Sequence, residues 1–149
     1  MNKQRFVTRY LLAIVGAYGL LNLIGVIGWL FPHSLYLRWS GLVAGFLLAA
    51  FWFGCVAPVH RRLWLAAAVL FAPVPLGVYL LVQPLVWQAT ERAAWYQIRV
   101  GYVPPAIQRT LQETVFMTVS AAGAYVGSVA IVWGLTMWRW RKQREEAQG

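Results

Sequence analysis

The side chains able to carry out acid–base, metal or nucleophilic chemistry are few, and their spacing keeps them apart. All four acidic residues are glutamates, at Glu91, Glu113, Glu145 and Glu146; beside them stand His33, His60 and a single cysteine, Cys55. A metal site gathers three or four such ligands in one place, and a nucleophile needs a base within hydrogen-bonding reach. No segment sets a group of this kind at loop or helical spacing, and neither a Gly-rich phosphate loop nor a serine elbow occurs. One cysteine excludes an internal disulfide and two-thiol redox chemistry, and its apolar neighbours make it a small hydrophobe. The expectation is therefore a chain with no catalytic residues, no metal ligands and no cofactor, and not an enzyme.

What remains is polar or helix-breaking residues inside apolar runs. Asn22 lies in the middle of one, where an amide needs a partner and is expected to bond across a helix interface, with a transport or ligand role as the alternative. Pro73 and Pro75 each remove an amide donor from another run and clash with the preceding turn. The carbonyls they free require a neighbouring helix, water or a ligand, and Gly77 leaves room for any of these. Broken helices line substrate sites in some transporters, whereas most Pro-containing membrane helices are only kinked.

The elements that carry these residues follow from composition. Of 149 residues, 60% are hydrophobic and 11% charged, which places one domain in lipid rather than water. The thirteen Lys and Arg against four acidic residues would suit nucleic acid if they formed one face. They lie instead at the ends of apolar runs, so anionic headgroups are the expected partner and nucleic acid is not. Lys3, Arg5 and Arg9 precede an apolar run of about twenty residues, too long for a signal h-region and without a small-x-small cleavage site, so it is expected to stay as an anchor.

The expected fold is an all-α integral membrane protein, a single polytopic domain with four transmembrane helices at about 10–31, 40–59, 63–87 and 114–138. The third is expected to kink at Pro73/Pro75. Between spans 3 and 4, a short amphipathic interfacial helix with Trp87 and Trp95 would help form a cap over about 88–113. Trp95 is four residues from Arg99 and placed to stack on it. Gly101 should end this segment and Pro105 open the next helix. His33 and His60 then fall at opposite membrane surfaces and cannot share a metal or a haem; each is an interfacial polar residue, or a haem ligand completed by another subunit.

Small residues recur at spacings that let helices approach. Gly41 and Gly45 form one GxxxG and Gly123 and Gly127 a second, beside a row of Ser120, Ala124 and Ser128. Trp138, Arg139, Trp140 and Arg141 alternate aromatic and cationic groups, an anchor for the headgroups of an anionic leaflet.

Orientation follows from the cations. Four crossings put nine Lys and Arg on the side of the termini and four on the other, whereas a re-entrant third segment would give eight and five. The larger bias favours four crossings with both termini cytoplasmic. Short loops and the lack of glycosylation sequons favour a bacterial inner membrane. The expected role is an accessory or assembly subunit that packs its small-residue faces against itself, as a homo-oligomer, or against other membrane subunits. The alternatives are a homo-oligomeric pore or small-solute conduit lined by Ser120, Ser128 and Thr136 together with the Pro73/Pro75 break, and a lipid- or quinone-binding subunit of a larger enzyme.

Overall fold

The computed structural model describes residues 3–30 and 34–148. Phe31, Pro32 and His33, in the expected first connection, lie outside the described residues. Five helices follow one another: α1 (Lys3–Trp29), α2 (Leu35–Val56), α3 (Leu63–Phe71), α4 (Pro73–Val100) and α5 (Pro105–Gln148). Taking α3 and α4 together, four helices are long and apolar enough to cross a membrane.

Local chemistry sets the boundaries. Ser34 Oγ accepts from the Leu37 amide at 3.3 Å and caps α2, satisfying one of the donors a helix start leaves free. In the turn after α2, His60 Nδ1 accepts from the Arg62 amide at 3.1 Å and the His60 carbonyl accepts from Leu63 at 2.9 Å, which launches α3. Gly101 ends α4 in the left-handed region, φ +71°, where only glycine is unstrained. Pro105 opens α5, where its missing amide is harmless.

Three boundaries differ from the sequence expectation. α1 begins at Lys3, ahead of its apolar run, because Lys and Arg are good helix formers that only mark where lipid ends. The segment expected as a separate interfacial helix is the second half of α4, which runs without a break from Pro73 to Val100 with Pro84 inside it. At the proline pair, the helix is interrupted only at Ala72, whose backbone stays in the right-handed region at φ −57°, ψ −35°, and Pro73 becomes the first residue of α4.

The chain forms two compact units, residues 1–72 with 124–149, and residues 73–123. In the first, α1 and α2 pack with residue 24 beside 45 and 16 beside 52, an antiparallel register. α2 and α5 run parallel at a nearly constant offset, Phe46 beside Ser128 and Ala57 beside Arg139. The core sets rings against small side chains: Phe46, Phe53 and Phe71 meet at centroid distances of 5.2 and 6.0 Å among Ala13, Ala17, Ala49, Ala50 and Ala67. The second unit is a hairpin of α4 and the first half of α5, with Val82, Ala89 and Thr114 buried.

Candidate functional site

Pro73 and Pro75 have no amide to offer the carbonyls four residues before them, Val69 and Phe71. Two tyrosines from other helices reach the carbonyls on either side of Val69. Tyr18 of α1 donates its hydroxyl to the Leu70 carbonyl at 2.8 Å, and Tyr125 of α5 donates to the Ala68 carbonyl at 2.9 Å. Gly77 has open space where a side chain would begin. The Asn22 amide donates to the Tyr18 carbonyl one turn back, at 2.7 Å, and is exposed. This bond to the i−4 carbonyl stays within α1.

The small-residue faces divide sharply. A Cβ on Gly45 would stand 2.9 Å from Ile24 Cγ2, so α1 uses that glycine for close approach, while Gly41 has nothing within 4 Å. Gly127 would meet Leu47 at 3.1 Å and Gly123 nothing. Ala124 and Ser128 are buried, and Ser128 donates to the Phe46 carbonyl at 3.4 Å. Ser120 bonds back to Met117 at 3.1 Å. Thr136 is buried and donates to the Val132 carbonyl at 2.6 Å. Much of the row is thus occupied within one chain. Gly16, against the Trp52 indole, and Gly54, 2.8 Å from Leu135 Cδ1 by the same measure, are close approaches that no GxxxG spacing marks.

At the end of the first unit that carries both termini, Arg139 turns inward. Its guanidinium donates to the carbonyls of Gly54 at 2.6 Å and Ala57 at 2.9 Å, capping the end of α2 with a cation where the helix dipole favours one. The charge of Arg9 acts on it as well. Trp138 and Arg141 beside it are exposed, and Trp140, half-buried, carries the Arg144 guanidinium 3.8 Å from its ring centroid. Cys55 is exposed rather than buried; its place in an apolar run did not reveal which side of α2 it occupies.

Beside the Tyr125 contact, an apolar groove of about 510 Å³ opens between Trp64 and Ala68 of α3 and Tyr125, Val129 and Trp133 of α5. In the hairpin, Trp87 Nε1 donates to Glu91 Oε1 at 2.8 Å, and Arg109 pairs with Glu113 at 2.9 Å. Trp95 stands edge-on to Tyr96, centroids 5.0 Å apart. Along this side of α4 and past its end, Trp87, Trp95, Ile98 and Tyr102 are exposed, Ile98 at 82%. A smaller hollow of about 340 Å³ lies lower, lined by Tyr79, Gln83, Val86 and Thr118 among others.

Compared with family models, curated proteins and solved structures, the chain matches none of them.

Proposed function

We propose that this protein is a non-enzymatic subunit of the bacterial inner membrane that assembles with a larger membrane complex, with both termini cytoplasmic and the hairpin tip outside. The observation that carries this reading is the exposed stripe of Trp87, Trp95, Ile98 and Tyr102 on the hairpin. From Trp87 to Val100, α4 rises about 20 Å at 1.5 Å per residue. This stretch carries Glu91, Arg92 and Arg99, so its polar residues belong in water while its apolar stripe lacks cover. Aromatic side chains beside arginines are the composition of interface hot spots. The small-residue positions left open, Gly41 and Gly123, add helix-packing surface within the bilayer. The pore alternative has less support, because two of its three lining hydroxyls, Ser128 and Thr136, are buried and bonded within one unit.

The test is the composition of the complex extracted from its native membrane in mild detergent, for wild type and for Trp95→Ala/Ile98→Glu. Another chain should co-purify stoichiometrically with wild type and be lost with the double variant. Wild-type protein that emerges alone would refute the reading; a closed homo-oligomer would direct attention to ion flux in liposomes.

A further inference from the structure

The groove between α3 and α5 has walls unlike those of a helix-docking site. A helix approaches where side chains are missing, but this groove is lined by the rings of Trp64, Tyr125 and Trp133 as well as by Ala68 and Ala130. That leaves a slot for something thin. The lining is almost wholly apolar, and the Tyr125 hydroxyl is already committed to the Ala68 carbonyl. Its volume, about 510 Å³, lies in the range of small-ligand sites.

One mouth of the slot is strongly basic. Trp64 sits in the first turn of α3, two residues after Arg61-Arg62, and on α5 the face of Trp133 continues through Met137 to Arg141 and Arg144. Arg61, Arg62, Arg141 and Arg144 are exposed. Among the described residues, the one ion pair is Arg109 with Glu113, in the hairpin. The four arginines outnumber the carboxylates near this mouth, Glu145 and Glu146, and no ion pair ties the two groups together. Tryptophans at the headgroup level, cations just beyond and an apolar slot running inward match a phospholipid in order and polarity.

We infer that the groove between Trp64 and Trp133 is a binding site for one anionic phospholipid of the leaflet on the side of the termini, an acyl chain in the slot and its phosphate between Arg61/Arg62 and Arg141/Arg144. This goes beyond general attraction to an anionic surface, because it specifies one lipid at one position.

The experiment is native mass spectrometry of the delipidated full chain in mild detergent, titrated with phosphatidylglycerol or with phosphatidylcholine of the same chain length. Wild type should retain one phosphatidylglycerol and bind phosphatidylcholine at least about tenfold more weakly. Arg61→Gln/Arg62→Gln should weaken phosphatidylglycerol roughly twentyfold and leave phosphatidylcholine unchanged. Ala130→Trp, an exposed position, should fill the slot and abolish retention. Arg92→Gln/Arg99→Gln removes the same charge from the hairpin and should change nothing. Circular dichroism on each variant checks that the helices remain. Equal retention of the two lipids, undiminished binding by Ala130→Trp, or equal weakening by the two arginine pairs would each overturn the site.

Discussion

The first GxxxG offers a test in which one motif should give opposite signs at its two glycines. Gly45 lies against α1: a Cβ there would stand 2.9 Å from Ile24 Cγ2 and 3.0 Å from Ile24 Cβ. Both atoms sit close to the backbone of a β-branched residue, so relief requires α1 to move. Gly45→Ala gains about 0.5–1 kcal/mol of helix propensity and loses about 1–3 kcal/mol to overpacking. The net expectation is destabilisation by up to about 2.5 kcal/mol. Gly41→Ala meets nothing within 4 Å and keeps only the gain, a stabilisation of about 0.5–1 kcal/mol. Ile24→Ala should remove the clash, so the double variant Gly45→Ala/Ile24→Ala should be more stable than the sum of the single effects predicts by about 1 kcal/mol. The assay is unfolding in mixed micelles of increasing dodecyl sulfate, followed by circular dichroism. Equal effects at Gly41 and Gly45, or no coupling between Gly45 and Ile24, would refute the close approach of α1 and α2.

Three further outcomes follow from contacts elsewhere. Tyr18→Phe and Tyr125→Phe should each cost about 0.6–1 kcal/mol and speed amide exchange just after the proline break, measured by hydrogen–deuterium exchange. Arg139→Gln removes a guanidinium bonded to Gly54 and Ala57; it should destabilise by about 1–2 kcal/mol, with faster exchange confined to the end of α2. Glu113→Gln breaks a pair whose arginine is 77% exposed, and its effect on the same micelle unfolding should stay below about 0.5 kcal/mol.

The apolar runs and their number were legible because hydropathy reports directly on solvent. The α4–α5 turn was legible for a different reason, since Gly101 and Pro105 act through their own backbone chemistry. Which glycine of a pair is used was not legible. Four residues turn a helix through about 400°, so Gly41 and Gly45 point about 40° apart, enough for one to face α1 and the other to miss it. Arg139 read as a headgroup anchor because its neighbours Trp138, Trp140 and Arg141 are of that type; its bonds to Gly54 and Ala57 are set by the register of α2 on α5. The Trp87–Val100 segment read as a separate element because its polarity changes after Pro84, yet a change of polarity alone does not end a helix. The tyrosine bonds to α3 span 52 and 57 residues, beyond any local pattern.

Those two bonds also carry an order in time. A chain made at about 5–20 residues per second places Tyr18 in the bilayer before α3 has left the ribosome, so the Leu70 carbonyl meets its donor on arrival. Tyr125 follows Ala68 by 57 residues, a delay of about 3–11 s at that rate. Through that interval α3 is held on one flank only, and α5 closes the other. The two carbonyls ahead of Pro73 are thus met in two instalments, and the second waits for α5.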